Sequence, residues 1–350
     1  MTIVADRYRY VAGVDTHART HTLAIVDAST GHELDTRAFP STAAAHERVA
    51  GWLQRRCSNP ANVLIAMEGA NSYGAILRTS LMNRGYRVVE APSPARSLRR
   101  SQGKSDSLDA ARAARSVMQL DAERLTEAKT GSASQALRIL LVARQSMTRE
   151  RTACINALTA LLRTIELGVD ARRPLSARSI RAVAAWRSRR EGVTVRTGRM
   201  EAVRLAKRII DLRAQLNQNL CELEALVRDA APDLLHMPGV GAVSAAVILS
   251  SWSHPGRVRS EAALASLAGT CPLPASSGNT TRHRLNRSGD RQLNRAMHTI
   301  TLVRMNHDPQ TKAYVQRRTL EGRTKKEIMR SLKRYVTRQV YRTLSAASRG

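Results

Sequence analysis

Short apolar runs and amphipathic stretches alternate along the first 125 residues. Four runs predict strands, at 9–15, 21–27, 62–68 and 86–90, the first two of which form a β-hairpin. Apolar residues at helical spacing predict helices at 42–56, near 73–84 and from about Ser105. Strands interleaved with helices predict an α/β domain over residues 1–125.

Two long stretches of the middle region carry apolar residues three and four apart, at 132–167 and at 201–229. Polar residues fill their other faces, which predicts an antiparallel coiled-coil arm over 126–230 and suggests a dimerisation element. The stretch between them, 172–199, is rich in Arg and Ser and poor in acids. Two interpretations of it stay open, a disordered loop and a nucleic-acid clamp.

A third unit, residues 231–350, is predicted to be mostly helical. It begins with an apolar helix that follows Gly239 and Gly241, two glycines that allow a tight turn and a close approach of backbone N–H groups to phosphate. This pattern is typical of a helix-hairpin-helix, which grips the DNA backbone, although an ordinary turn has the same glycines. The tail, 310–346, alternates apolar and basic positions and predicts a helix with a cationic face.

Charge identifies the class of partner. The 350 residues include 57 basic and 28 acidic side chains, giving a net charge of +29 spread along the whole chain. A nucleic acid is the natural polyanion for such a protein, and the scarcity of aromatic residues favours phosphate contacts over base stacking. An anionic membrane is the competing partner. However, no apolar run approaches the roughly 20 residues of a spanning helix.

The compartment is inferred from the ends and the cysteines of the chain. We expect a cytoplasmic protein that associates with the nucleoid when it acts, because the N-terminus lacks a signal-peptide pattern. The four cysteines are scattered without a CxxC pair and are expected to be reduced.

Four acidic residues occupy positions that suggest a metal site. Asp15 and Glu68 end two predicted strands, and the carboxyl ends of neighbouring strands meet at one edge of a sheet. Asp106 and Asp109 open a helix that Ser105 can cap. Four converging carboxylates would repel one another unless divalent cations, preferably Mg²⁺, neutralised them. The layout is that of RNase-H-like nucleases and Holliday-junction resolvases; taken singly, each acid could be an ordinary surface or helix-start residue.

Two other groups of residues were weighed for chemistry. His17 and His21 are expected to have a surface role, in a turn between strands. Ser276 and Ser277 precede a glycine and a run of arginines, Arg282, Arg284, Arg287, Arg291 and Arg295. A serine among guanidinium groups suits attack on phosphate, because Arg stabilises the developing charge. The alternative is a Ser-Gly turn before a basic helix.

Taken together, these motifs resemble a family of insertion-sequence transposases that joins an N-terminal DEDD, RuvC-like domain to a C-terminal serine-bearing transposase domain. The N-terminal resemblance rests on Gly13-Val14-Asp15-Thr16-His17, Met67-Glu68-Gly69 and Ser105-Asp106-Ser107-Leu108-Asp109-Ala110. The C-terminal resemblance rests on 235–241, 267–269, Ser277-Gly278 and 287–293. One departure is Leu293-Asn294-Arg295, which stands where Leu-Arg is usual.

The resemblance implies an RNase-H-like fold and a mechanism. Asp15, Glu68, Asp106 and Asp109 would bind Mg²⁺, and Ser277, or else Ser276, would form a covalent phosphoserine link to DNA. Strand exchange would pass through a Holliday-junction-like intermediate in a dimer or tetramer. The serine of one subunit would work beside the acids of another, on double-stranded element-end and target DNA. Well-studied members are guided by a structured non-coding bridge RNA.

Three rival functions remain at this point. A DNA invertase of the same family would share every motif, and a junction-resolving nuclease would use the acidic quartet without a serine. A DNA-binding protein without catalytic activity would use only the hairpin and the arm.

Overall fold

The computed structural model describes residues 2–92, 105–125, 127–129, 131–274, 283–284, 286 and 289–347. The chain divides into two compact units, Met1–Thr130 and Gly131–Gly350. Among the described helices, none is both long enough and apolar enough to cross a bilayer.

The first unit is built on a five-stranded mixed sheet. Its strands are β1 (Tyr10–Thr16), β2 (Thr20–Asp27), β3 (Glu33–Pro40), β4 (Val63–Met67) and β5 (Arg87–Glu90), in the order β3-β2-β1-β4-β5. The first three strands form an antiparallel meander, whereas β4 and β5 run parallel to β1. Its helices are α1 (Val4–Arg7), α2 (Ala43–Cys57), α3 (Ala75–Met82) and α4 (Asp106–Met118), with a short 3₁₀ turn at Pro60–Asn62. This architecture is consistent with the RNase-H-like α/β domain expected from the sequence.

Alternate residues of the central strands pack into separate cores on the two faces of the sheet. Ala12 and Val14 of β1 belong to the core that α2 and α3 cover. Val11 belongs to the opposite core, together with residues of α1 and α4. Because side chains alternate along a strand, Gly13 and Asp15 have the same parity as Val11 and belong to the α4 face.

Helix α4 lies against the sheet with its backbone touching β1. A Cβ atom added to Gly13 would lie 1.9 Å from the carbonyl oxygen of Ala110 and 2.5 Å from the backbone nitrogen of Ala114. Ala24 of β2 forms a fully buried cluster with Ala110 and Ala111. Small side chains on both partners therefore let this helix approach the strands more closely than a larger residue would allow.

The structure corrects two expectations for this unit. Strand β3 was missed in the sequence, because only Phe39 of its eight residues is buried. The surface role expected for His21 is wrong: the residue lies within β2, is 0% exposed and stacks on the ring of His46 at a centroid distance of 5.6 Å. Within the described part of the chain, neither ring nitrogen of His21 has a hydrogen-bond partner.

The second unit begins with two long antiparallel helices. These are α5 (Ser132–Thr164) and α7 (Val193–Ala230). Their contacts show that they are antiparallel. Leu140 of α5 accepts a hydrogen bond from Asn219 Nδ2, whereas Glu150, later in α5, bonds Arg208, which is earlier in α7. The antiparallel arm is thus present, whereas strict coiled-coil packing and a dimerisation role stay predictions.

The segment that joins the two long helices is folded. We call residues 165–199 the arm tip; it contains α6 (Ala177–Ala184) and the first turns of α7. Ile180 and Val183 of α6 are buried in a core with residues of both long helices, including Leu162 and Ala202. The disordered-loop interpretation of 172–199 is therefore wrong.

The remainder of the unit is mostly helical, as expected. Its elements are α8 (Pro232–His236), α9 (Ala242–Trp252), α10 (Glu261–Leu267), β6 (Leu273–Pro274), β7 (His283–Arg284), α11 (Arg291–His307), α12 (Pro309–Leu320) and α13 (Lys325–Ala347). Leu137, Leu223 and Val227 at the base of the arm share one core with these helices. The tail predicted to be helical consists of two helices, separated by a turn in which Gly322 has φ +76°.

The backbone contact of α4 gives a first prediction. Gly13→Ala places a methyl group 1.9 Å from the carbonyl oxygen of Ala110, which is a severe steric clash. We therefore expect the free energy of unfolding of the first unit to fall by about 2–3 kcal/mol. Gly51→Ala is the matched control, because this helical glycine has only the end of the Arg55 side chain, at 3.4 Å, near its would-be Cβ. Denaturant unfolding should show the control neutral or slightly more stable. Equal stability of the two variants would contradict the contact.

The buried histidines give a second prediction. Burial lowers the pKa of His21 below its ordinary 6.5, helped by the neighbouring His46 and His17, and burial also lowers the pKa of His46. The unfolded chain therefore binds protons first, so stability is complete above pH 6.5 and declines as the pH falls. His46→Leu should flatten the pH dependence of the free energy of unfolding between about pH 7 and pH 5, whereas His32→Gln, at an exposed position, should not. An unchanged pH profile in His46→Leu would count against this account.

Candidate metal centre and serine segment

Two of the predicted acids are brought together by parallel strand pairing. Strand β1 pairs with β4 so that Val14 is opposite Met67, and Asp15 and Glu68 come next. The backbone N–H of Glu68 donates to the Val14 carbonyl at 2.9 Å, and the Thr16 hydroxyl donates to the Glu68 carbonyl at 2.8 Å. The backbones of Asp15 and Glu68 are therefore neighbours at the carboxyl edge of the sheet.

The other two acids arrive on the first turn of α4. Ser105 caps this helix, and its hydroxyl accepts a hydrogen bond from the Leu108 N–H at 3.3 Å. The cap fixes the start of the helix, and Asp106 and Asp109 both lie in its first turn. Since α4 packs on Gly13, two residues before Asp15, its N-terminus is held at the edge where β1 ends.

The centre of the site is a cluster of Asp15, His17 and Asp106. His17 Nε2 lies 3.0 Å from Asp15 Oδ2 and 3.6 Å from Asp106 Oδ1. One potential ligand atom from each of the three residues lies within 4.8 Å of the others, and it is the only such cluster among the described residues. Asp15 is buried, with 7% of its surface exposed, whereas Asp106 is exposed. The cluster thus has one buried anchor and an open side.

The electrostatics of Asp15 indicate crowding of negative charge. Burial raises the pKa of its carboxyl, and the hydrogen bond and charge of His17 oppose this effect. The charges of Asp106 and Asp109 raise the pKa further. A cation near these groups would relieve the repulsion and favour the ionised carboxylate.

Asp109 and Glu68 lie outside this closest cluster. The carboxylate of Asp109 accepts a hydrogen bond from Arg112 Nη1 at 2.8 Å, although its charge reaches Asp15. Glu68 is half-buried and joins the site through its backbone. The sequence predicted a surface role for His17; the residue is exposed, but it also belongs to the cluster. Its position two residues after Asp15, at the start of the hairpin turn, was the available signal.

Ser276 and Ser277 lie outside the described residues, as do Arg282 and Arg287. The chain on either side is described: β6 and β7 pair through Leu273 and Arg284 and through Pro274 and His283. The following Asp290 caps α11 by accepting hydrogen bonds from the N–H groups of Gln292 and Leu293. Arg291 is exposed in the first turn of that helix.

Residues 267–269 pack against Gly289 and Asp290, which follow the serine segment. Gly289 has φ +102°, and a Cβ there would lie 2.5 Å from the Leu267 carbonyl oxygen. The same carbonyl accepts the Asp290 N–H at 2.7 Å. Asn294 donates from Nδ2 to the Ala268 carbonyl at 2.6 Å.

A buried lysine also hydrogen-bonds to Asn294. Lys333 of α13 donates from Nζ to Asn294 Oδ1 at 2.8 Å, and burial lowers the pKa of its ammonium group. Asn294 therefore links α13 to the turn after α10.

The two glycines of the predicted hairpin differ in their surroundings. Gly239 has φ +76°, and a Cβ there would come within 3.0 Å of the Ile300 carbonyl oxygen. Gly241 precedes α9, and no described atom lies within 4 Å of its would-be Cβ. Gly239 is thus explained by the turn and its packing, whereas the space beside Gly241 is open. A helix-hairpin-helix role stays a prediction.

Comparisons with known proteins match a transposase family model to each of two parts of the chain, one containing the acidic cluster and one containing the serine segment. Residues 12–166 match a family model for the DEDD transposases of IS110-type elements, described as a transposase. Residues 231–316 match the model described as the transposase IS116/IS110/IS902 family. Together these stretches cover more than half of the chain.

A similar protein is the insertion element IS110 uncharacterized 43.6 kDa protein of Streptomyces coelicolor. It is 37% identical over 124 residues, which is 35% of this chain and 29% of that protein, so the match spans under a third of the relative. With both family models matching in order, the chain belongs to the IS116/IS110/IS902 family of insertion-sequence transposases.

Proposed function

We propose that this protein is a DNA transposase that breaks and rejoins strands at the ends of an insertion element and at a target. The observation that carries the proposal is the cluster of Asp15, His17 and Asp106 at the carboxyl edge of an RNase-H-like sheet. Family membership supplies the reaction class, and the net charge of +29 suits a DNA substrate.

The residues fit a divalent cation. Asp15 and Asp106 present carboxylate oxygens within 4.8 Å of each other, and their mutual repulsion with Asp109 is the kind that a cation relieves. Asp15, Glu68, Asp106 and Asp109 would hold Mg²⁺, which prefers oxygen ligands. Bound there, the metal would polarise a phosphodiester and neutralise charge in the transition state. The protein's own part is to hold these carboxylates together on a rigid sheet edge and helix start.

His17 is proposed as a positioning residue. Its Nε2–H donates to Asp15 Oδ2 at 3.0 Å, which fixes the orientation of the buried carboxylate. An imidazole beside two carboxylates also makes the site less purely oxygen-lined, so Mn²⁺ should be tested beside Mg²⁺.

Ser277 is proposed as the nucleophile. Its hydroxyl oxygen would form a bond to phosphorus while the bond from phosphorus to a deoxyribose oxygen breaks. The leaving oxygen takes a proton, and the reverse reaction with a new strand end reseals the DNA. Arginines of the same segment, Arg282, Arg284, Arg287 and Arg291, would bind the phosphate and stabilise its charge. Gly241 and Gly239 would support a nearby backbone grip on DNA.

The proposal extends to the oligomer and the guide RNA that membership of this family implies. We infer a homo-oligomer, a dimer or tetramer, in which the serine of one subunit serves the acids of another, and guidance by a structured RNA from the same element. The base pairing of such a guide would carry the target sequence, so little sequence code would be needed in the protein.

The acidic cluster gives a third prediction. Asp106→Asn should lower strand exchange on the order of a thousandfold or more, because it removes a ligand and a charge from the transition-state site. The thermal stabilisation that Mg²⁺ gives the wild type should disappear as well. Asp6→Asn is the control, an exposed acid on α1 with the same change of charge.

Two measurements check that prediction, recombination of element-end DNA with Mg²⁺, Mn²⁺ or EDTA, and a melting scan with each metal. Full activity of Asp106→Asn, or activity in EDTA, would remove the cluster from the mechanism.

The serine gives a fourth prediction. Ser277→Ala should abolish a covalent protein–DNA adduct trapped under denaturing conditions, whereas Ser276→Ala should retain it. A junction-resolving nuclease would yield no adduct from any variant, so the wild type alone separates the two functions. An adduct in Ser277→Ala that disappears in Ser276→Ala would move the nucleophile to Ser276.

A further inference from the structure

The arm tip carries a concentration of charge that the proposed chemistry does not use. Residues 165–199 contain nine arginines against three acidic residues. Two of the arginines are engaged locally, Arg172 with Asp170 and Arg199 with Glu191. The other seven have exposed side chains: Arg173, Arg178, Arg181, Arg187, Arg189, Arg190 and Arg196.

Most of these charges are not balanced by neighbours. Six of the seven make no ion pair or hydrogen bond through the guanidinium with any described residue, and Arg189 lies near enough to Glu191 to help lower the pKa of that carboxyl. Further along α7, Arg204 pairs with Glu201 and Arg228 pairs with Glu224, whereas Arg213 is exposed and has no ion pair with a described residue. Residues 200–230 carry five basic and five acidic side chains, so the excess charge of this helix lies in the part that belongs to the tip.

The tip presents these arginines on a fixed scaffold. Arg199 forms two bonds to Glu191, Nε to Oε2 at 2.9 Å and Nη2 to Oε1 at 2.6 Å, while its guanidinium carbon lies 4.9 Å from the centre of the Trp186 ring. Arg163 Nε donates to the Ala171 carbonyl at 2.9 Å and ties the start of the tip to α5. These contacts hold both ends of the connecting loops against the long helices.

The exposed arginines form two groups on this scaffold. Arg178 and Arg181 are three residues apart on α6, on the face opposite the buried Ile180 and Val183. A second group lines one open cleft of about 660 Å³, Arg189, Arg190 and Arg196. Two clusters of cations on a folded surface suit a ligand that presents phosphates at regular intervals.

The tip lacks what a single-strand or base-stacking site needs. Trp186 is its only aromatic residue, and the Arg199 guanidinium covers it. Single-strand sites rely on free aromatic rings on which bases stack, whereas a duplex keeps its bases stacked inside and presents two rows of phosphates that arginines can bind.

We propose that the arm tip is a docking site for the phosphodiester backbone of a nucleic-acid duplex, held by its exposed arginines. The choice of a nucleic acid as the polyanion rests on the proposed function. The site shares no residue with the acidic cluster or with the serine segment, and duplex DNA and duplex RNA share the chemistry that it recognises.

The test compares two triple variants of equal charge. The tip variant is Arg189→Gln, Arg190→Gln and Arg196→Gln; the control is Arg204→Gln, Arg228→Gln and Arg317→Gln, three exposed arginines that each pair with an acid. Binding of the full chain to a mixed-sequence duplex DNA, a duplex RNA of the same length and a single-stranded oligothymidine is measured over a range of salt concentrations.

We expect the tip variant to bind at least one duplex about tenfold more weakly or worse, with the slope of log K against log salt reduced by about 0.9 for each phosphate that the variant no longer neutralises. The melting temperature should stay within about 2 °C of wild type, because Arg190 and Arg196 have no partner among the described residues. The control should change binding much less. The duplex that binds more weakly identifies whether DNA or RNA docks at the tip.

Three outcomes would overturn the proposal: unchanged duplex binding in the tip variant, equal weakening in the control, or weakening confined to the single strand. Asp106→Asn separates this result from the proposed function. It should bind the duplex like wild type while strand exchange is abolished, whereas an active Asp106→Asn would contradict the transposase mechanism and leave the result for the tip intact.

Discussion

The close approach of helix α4 to strand β1 is the constraint on which the first unit depends. Gly13 has no side chain, so the carbonyl of Ala110 and the backbone of Ala114 occupy the space that a Cβ would fill. The contact sets both the distance and the position of the helix along the strand. Asp106, one turn before Ala110, consequently reaches the carboxylate that ends β1. The close packing of Gly13 on Ala110 thus brings Asp15 and Asp106 together at the edge of the sheet.

That arrangement has an electrostatic cost, which His17 partly offsets. Asp15 is buried beside two other carboxylates, and its raised pKa reflects both effects. His17 compensates part of the charge by a direct hydrogen bond. On the scale of the whole chain, the ratio of 57 basic to 28 acidic residues places this negative site within a positive protein. A DNA strand would be attracted by the surroundings and would meet concentrated negative charge at one point, where a cation is needed.

Much of the first unit could be predicted because its signals are local. Strands β1, β2 and β4 are continuous apolar runs, and α4 begins at a serine cap followed by two acids. Strand β3 gave no such signal, since it lies at the edge of the sheet and buries only Phe39. The fold of the arm tip was missed for a similar reason: α6 has eight residues, and only Ile180 and Val183 are buried. The site was predictable in composition but not in geometry, because the approach of Asp106 on α4 to Asp15 and His17 depends on tertiary placement. Likewise, His21 was expected in a turn because polar residues surround it, whereas pairing with β3 and stacking on His46 bury it.

The length of the two-helix arm has a consequence for the scale on which this protein can organise nucleic acid. From Leu137, in the shared core, to Thr164, at the start of the tip, α5 extends for about 40 Å at 1.5 Å per residue. Base pairs of B-form DNA rise about 3.4 Å each, so this length corresponds to about twelve of them. A duplex held at the tip would therefore be offset from one held at the arm's base by slightly more than one helical turn. On the proposed docking at the tip, the length of the arm would set this spacing, and lengthening or shortening both helices equally would change it.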